Sequence, residues 1–303
     1  MHAMRQPERT LRHWAPITPA SAALADIVTT WADIRTSAAA QMPVTHRYIP
    51  RPGAVLSLQY GDRLTLSLAN VAATRRSYLV GPASVSPLIT AGGDVRAVTV
   101  TLSPWGAARL LAMPMHALCN QHVDLADLFG AVAVGDIEAR LDDAVDATAR
   151  WTIVSDFLLA RLSTRPAPAA TALPLKAIYA IILASGGTLP VTALCNAAES
   201  SPRQLERQFL ATIGLSPKVV SRLVRLQHAL ALFEQGLPWT AIAFEAGLCD
   251  QAHLIREFHS LMGIPPGAMR TADSRRGLAI AMLDERVLRL GLAPASYISC
   301  PQS

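Results

Sequence analysis

One stretch of the chain is written twice. Leu205, Arg207, Phe209, Gly214 and Pro217 recur as Leu254, Arg256, Phe258, Gly263 and Pro266, each 49 positions further on (205 to 254, 217 to 266). The short segment before each copy repeats as well, with Ala193, Leu194 and Ala197 answered by Ile242, Ala243 and Ala246. A constant period in this range marks a duplicated supersecondary unit, and two copies make a paired module instead of a solenoid.

Each copy reads as helix, tight turn, second helix. In the first, Val191–Ala198 leads through Glu199-Ser200 to Ser201, an N-cap followed by Pro202 at the first helical position and Gln204 at the third. In the second, Thr240–Ala246 ends at Gly247, a residue free to take the left-handed turn, and Asp250 caps the next helix. Leu205 with Phe209, and Leu254 with Phe258, are four apart and face inward. That leaves Arg203, Gln204, Arg207 and Gln208 outward in copy one, and Gln251, Ala252, His253 and Arg256 in copy two.

A helix-turn-helix needs this arrangement, because its second helix enters the major groove and reads base edges with exposed donors. Arg pairs bidentately with guanine and Gln with adenine, each pair worth roughly 1–3 kcal/mol of discrimination. Arg203, Arg207, Lys218, Arg222 and Arg225 fall between residues 201 and 225, where Glu206 is the one acid. Ser201, Lys218, Arg222, Arg225 and Arg270 are the candidate phosphate contacts. Between the copies, Ser216–Gln235 begins at a Ser-Pro cap and carries Val219, Val220, Leu223, Leu226, Leu230 and Phe233 along one side. A helix of that length could hold two readers about 34 Å, one DNA turn, apart.

The run S-P-R-Q-L-E-R-Q-F…G-L-S-P, the long helix with Arg225 and Ala229, and A-I-A-F-E-A-G-L-C-D-Q-A-H-L-I-R-E-F…G-I-P-P resemble the AraC/XylS family of bacterial transcription regulators. The likeness covers about 186–270. It implies two helix-turn-helix subdomains bridged by a linker helix, with Arg207 and Arg256 on the recognition helices. Leu248, where the family often has an aromatic residue, and the doubled Pro265-Pro266 depart from the pattern. More distantly, Arg47-Tyr48-Ile49-Pro50-Arg51-Pro52-Gly53, Gly81-Pro82 and Val100–Ala107 are similar to the sensor-like domain preceding this module in one AraC-type subgroup.

The remaining chain is long enough for a second domain. With 303 residues, 51% hydrophobic and 16% charged, the composition is that of compact globular structure. No apolar run approaches the ~20 residues that span a bilayer, and the charged N-terminus lacks a signal-peptide core, so a cytoplasmic protein is expected without membrane partners. Cys119, Cys195, Cys249 and Cys300 form no CxxC, which suits reduced thiols.

Residues 14–40 read as partly helical, with Thr18-Pro19 as a start and Leu24, Ile27, Val28 and Trp31 at helical spacing. From about 44 the period becomes two. Ala54-Leu56-Leu58-Tyr60 and Leu64-Leu66-Leu68 alternate around a hairpin turn at Gly61-Asp62, and strand-like runs follow at Ser77–Val80, Val85–Ile89 and Val95–Leu102. Helices are expected at 104–113, 123–129, 136–147 and 149–163, the last presenting Ile153, Phe157 and Leu158 on one face. The expected class is α+β. An antiparallel sheet or barrel domain (1–162) precedes a proline-bearing linker (163–174), the all-α module (175–271) and a helical tail (272–303).

For other chemistry the sequence offers less. His116, Cys119 and His122 have residue types that soft metals accept, but no carboxylate accompanies them and no metal is expected. Tyr48, Leu56, Leu58, Tyr60 and Trp105 are the candidate lining of a small-ligand pocket. GxSxG, HExxH and a glycine-rich phosphate loop are all missing, so neither an enzyme nor a cofactor is expected. The expected partners are double-stranded DNA, a small-molecule effector, RNA polymerase and a second copy of the chain. The alternative is a ligand-binding or enzymatic protein whose helical half docks a protein partner.

Overall fold

The computed structural model describes residues 23–38, 44–164 and 172–270. The chain is α+β, with antiparallel sheets first and a helical module after them. The described residues form nine strands: β1 (Val28–Ala38), β2 (Val44–Arg47), β3 (Ala54–Gln59), β4 (Leu64–Leu68), β5 (Val71–Arg75), β6 (Tyr78–Val80), β7 (Leu88–Ala91), β8 (Gly93–Leu102) and β9 (His122–Asp124). They form a five-stranded sheet in the order β1-β8-β3-β6-β9 and a four-stranded sheet in the order β2-β7-β4-β5. All pairs are antiparallel.

Two expectations fail here for the same reason. The Leu24–Trp31 spacing suggested a helix, yet Leu24 and Ile27 bury in a turn and β1 then pairs with β8 over ten residues. The Thr-rich, β-branched composition of Val28–Ser37 suits that pairing better than a helix. The expected hairpin at Gly61-Asp62 is instead a crossing between sheets, since β3 pairs with β8 and β6 while β4 pairs with β5 and β7. The true hairpin partner of β4 is β5, joined by Ala69-Asn70, both at positive φ (49° and 68°) as a type I′ turn requires. The run expected at Val85–Ile89 becomes a strand only from Leu88.

Alternation on the larger sheet fixes two layers. Leu56 and Leu58 of β3 share a core with Val98, Val100 and Leu102 of β8 and with four helices: α1 (Pro104–Leu111), α2 (Leu125–Phe129), α3 (Ala131–Asp143) and α4 (Ala147–Ser163). The opposite face meets the smaller sheet, where Tyr78, Val80 and Val95 pack on Leu64, Leu66, Leu68 and Ile89. The apolar face of α4 is Trp151, Val154, Leu158 and Leu162, with Ile153 and Phe157 half-buried at its flank. Its inner turn is bolted to the sheet by Arg150, which donates to Asp33 (3.2 Å) and to the Leu141 and Ala144 carbonyls.

The helical module contains α5 (Ala172–Ala184), α6 (Val191–Ala197), α7 (Pro202–Thr212), α8 (Pro217–Glu234), α9 (Trp239–Glu245) and α10 (Gln251–Met262), closed by a 3-10 turn at Pro266–Arg270. Leu205, Phe209, Leu254 and Phe258 lie in one core with Val220, Leu223, Leu226 and Leu230 of α8. The expected tail, 272–303, and the middle of the expected linker lie outside the described residues.

Candidate DNA-reading interface

Both copies of the repeat fold as helix, turn and capped second helix. Ser201 Oγ accepts from the Gln204 N–H at 3.3 Å, and Asp250 Oδ1 from the His253 N–H at 2.6 Å. Each caps a first turn whose N–H groups have no intrahelical partner. Gly247, at φ 66°, closes α9 as expected; copy one makes its left-handed turn at Glu199 (φ 47°). A second Ser-Pro start, Ser216-Pro217, opens α8.

Capping sets how the faces turn. Leu205 and Phe209 are buried beneath α7, and Leu254 and Phe258 beneath α10. Arg203, Gln204 and Arg207 are exposed and Gln208 is half-buried; Gln251, Ala252 and Arg256 are exposed and His253 is half-buried. Among the described residues no ion pair engages Arg203, Arg207 or Arg256. Their guanidinium donors are therefore available to an outside acceptor.

The five expected phosphate contacts separate. Ser201 and Lys218 are exposed beside the first reader. Arg222 instead donates to Glu257 Oε2 (2.7 Å) and Ser260 Oγ (3.1 Å), tying α8 to α10. Arg225 donates to the Gly187 carbonyl at 2.9 Å, in the turn before α6. Both are thus engaged inside the module. Arg270 ends the closing turn, and its side chain lies outside the described residues.

The five candidate pocket residues are not brought together. Leu56, Leu58 and Tyr60 bury against the helices, Tyr48 packs beside the smaller sheet, and Trp105 belongs to the core of the helical module. Burial, and then a 2.6 Å hydrogen bond to Asp33, push the Tyr60 phenol up to about 12, so it stays a neutral donor. The polar positions between Leu56 and Tyr60, namely Ser57 and Gln59, are fully buried, and Ser57 pairs with Thr99 of β8. Among the described residues Gln59 Oε1 and Thr99 Oγ1 are buried there without a hydrogen-bond partner. An open depression of about 400 Å³ lies beside the second reader, lined by Pro238, Trp239, Thr240, Gln251 and Gly267.

His116, Cys119 and His122 are spread over a 3-10 turn, its C-cap and β9, because the chain leaves helical geometry between them. His122 is buried, its Nδ1 accepting from Arg75 and its Nε2 facing the Val71 carbonyl. Among the described residues no group of three or more His, Cys, Asp or Glu gathers as a metal site, and no helix is long and apolar enough to cross a membrane.

A row of contacts between the N-terminal half and the helical module has no signal in the sequence. Arg47 Nη1 donates to the Met262 carbonyl at 2.6 Å and the Ser86 N–H to the Leu261 carbonyl at 2.8 Å. Trp105 meets Tyr179 of α5 edge-to-face at 5.5 Å, and Lys176 pairs with Asp26.

Comparisons with known proteins bear on both halves. Residues 194–272 match the family model of a helix-turn-helix domain, and residues 17–124 match that of a domain of unknown function (DUF6597). No curated protein matches the chain. Similar solved structures include ToxT from Vibrio cholerae, 11% identical over 79% of this chain and 96% of that one, with a TM-score of 0.44. ToxT from Vibrio cholerae strain SCE256 with bound unsaturated fatty acid is 12% identical over 75% and 93%, at 0.43. The AraC-like transcriptional activator CuxR is 16% identical over 74% and 83%, at 0.27. Residues 194–272 are thus a helix-turn-helix domain of AraC type, duplicated and bridged by one long helix.

Proposed function

We propose that the chain reads a bipartite DNA site by setting α7 and α10 into two successive major grooves. The observation that carries this reading is the pair of capped second helices with Arg203, Gln204 and Arg207 exposed on one and Gln251 and Arg256 on the other. Exposed Arg and Gln supply the bidentate donors that base edges require. Ser201 and Lys218 supply backbone contacts, which fix register without carrying sequence information. A small polar effector would be met between the sheets, where Gln59 Oε1 and Thr99 Oγ1 lack partners, and not at Leu56, Leu58 or Tyr60.

The test is DNA selection with the full chain, followed by gel shifts on the selected site across a salt series. The logarithm of affinity should fall with the logarithm of salt with a slope of about −3 or steeper, as several neutralised phosphates require. A flat slope, or failure to enrich any sequence, would remove the reading and leave protein docking as the role of the helical half.

A further inference from the structure

Both readers end on the N-terminal half of the molecule. The turn that closes α7 places Gly214, at φ 84°, where an added Cβ would lie 2.8 Å from the Met115 carbonyl oxygen and from Pro82 Cγ. The turn that closes α10 gives its last two carbonyls, Leu261 and Met262, to the Ser86 N–H and the Arg47 guanidinium. An added Cβ on Gly263 (φ 71°) would lie 3.2 Å from Arg47 Nη1. Carbonyls in a helix's last turn lack intrahelical partners, and a cation there also meets the negative end of the helix dipole.

The two seats belong to different sheets. Pro82 follows β6 of the five-stranded sheet, whereas Arg47 closes β2 and Ser86 precedes β7 of the four-stranded one. The outward residues Arg203, Arg207, Gln251 and Arg256 stay exposed with these contacts made. The contacts therefore brace the readers from behind and do not cover them.

We propose that Arg47 is a positioning residue for DNA recognition: with Ser86 it caps the far end of α10 and so fixes the second reader's separation and tilt relative to the first. The inference rests on the DNA-binding reading above. On that reading α8 joins the two units, and the smaller sheet sets how far apart their helices lie.

Spacing on DNA is the readout that a merely stabilising arginine would leave alone. The full chain and its Arg47→Ala, Arg47→Met and Arg47→Lys variants would be tested on the site selected by wild type. Companion sites would have the two halves moved one or two base pairs closer or further apart. Wild type should lose about tenfold or more at each altered spacing, the order of a mismatched base pair. Arg47→Ala should bind the altered sites within about threefold of the original while keeping its base preferences in each half, and Arg47→Lys should fall between. Should Arg47→Ala not melt cooperatively, Arg47→Met, which keeps the packed stem without the donors, decides by the same criterion. Wild-type spacing dependence in the folded donorless variant overturns the proposal, and so does a uniform loss at every spacing. If wild type itself enriches no two-part site, the DNA-binding reading falls and not merely the role of Arg47.

Discussion

The two copies of the repeat share a frame and differ in what surrounds it. Around α7 the charges are free: among the described residues no ion pair holds the exposed Arg203 and Arg207, and Lys218 is exposed close by. Around α10 Arg256 is exposed too, but the neighbouring charges are engaged. Glu257 holds Arg222 at 2.7 Å and lies 3.9 Å from His253, and the far end of the helix is capped by Arg47. The second unit also has an aromatic stack that the first lacks, Phe233 on Trp239 at 4.5 Å and Trp239 against Phe258 at 5.6 Å; the repeat places Pro190 opposite Trp239. The first copy presents charge, and the second is the more heavily built.

The largest effects should come from the shared frame. Phe209 and Phe258 occupy equivalent, fully buried positions. Each Phe→Ala change should cost about 3–5 kcal/mol in chemical denaturation. Phe258→Ala should be the worse by about 0.5–1.5 kcal/mol, because it also breaks an edge-to-face pair. Equal costs would mean that the aromatic stack adds nothing to the second unit beyond volume.

Next in size is the division of reading. Arg207→Ala should lose about 1–3 kcal/mol on the selected site and relax the preference at one base position, while weakening random DNA much less. Arg256→Ala should lose less, since α7 carries two arginines, Arg203 and Arg207, whereas Arg256 is the one arginine of α10. Competition gel shifts with single-base variants of the site measure both. A larger loss at Arg256 would reverse the order of the two readers.

The sequence told most where structure is local. The repeat offset, the Ser-Pro and Asp caps and the 3.6-residue spacing of α8 are each decided within a few positions, and the structure follows them closely. It told least where distant segments choose one another. β1 carries a spacing that suits a helix, and only its partner 55 to 74 positions later makes it a strand. Gly61-Asp62 has turn chemistry in either topology, so the separation of β3 from β4 could not be read from it. Alternation in Ala54–Tyr60 was visible, but which face meets a cavity depends on what lies above each face. Arg47 is 215 positions from the carbonyl it caps, and nothing near it announces that partner.

A smaller effect tests whether Glu257 is what quiets the second reader. Glu257→Gln keeps the size of the side chain and removes its charge, releasing Arg222 and His253 from it. Half-exposed pairs of this kind add little to stability, so the loss in denaturation should stay within about 1 kcal/mol. Affinity should rise on all DNA sequences alike, with the salt slope steeper by about one as Arg222 gains a phosphate to neutralise. An unchanged slope would mean that Arg222 stays committed to Ser260 and that geometry, not charge, sets the second reader apart.

The smallest difference lies in the turns. Copy two makes its left-handed turn with Gly247, but copy one uses Glu199, whose Cβ crowds the backbone at φ 47°. An L-residue in that region costs roughly 1–2 kcal/mol, and glycine there removes the cost but adds about 0.4–1 kcal/mol of unfolded-chain entropy. The side chain of Glu199 is exposed and no ion pair holds it among the described residues, so nothing else is lost with it. Glu199→Gly should therefore stabilise the chain by about 0.5–1 kcal/mol in denaturant titration and leave base preference untouched. A net loss would show that the stiffness of this turn, and not only its shape, holds the first reader in place.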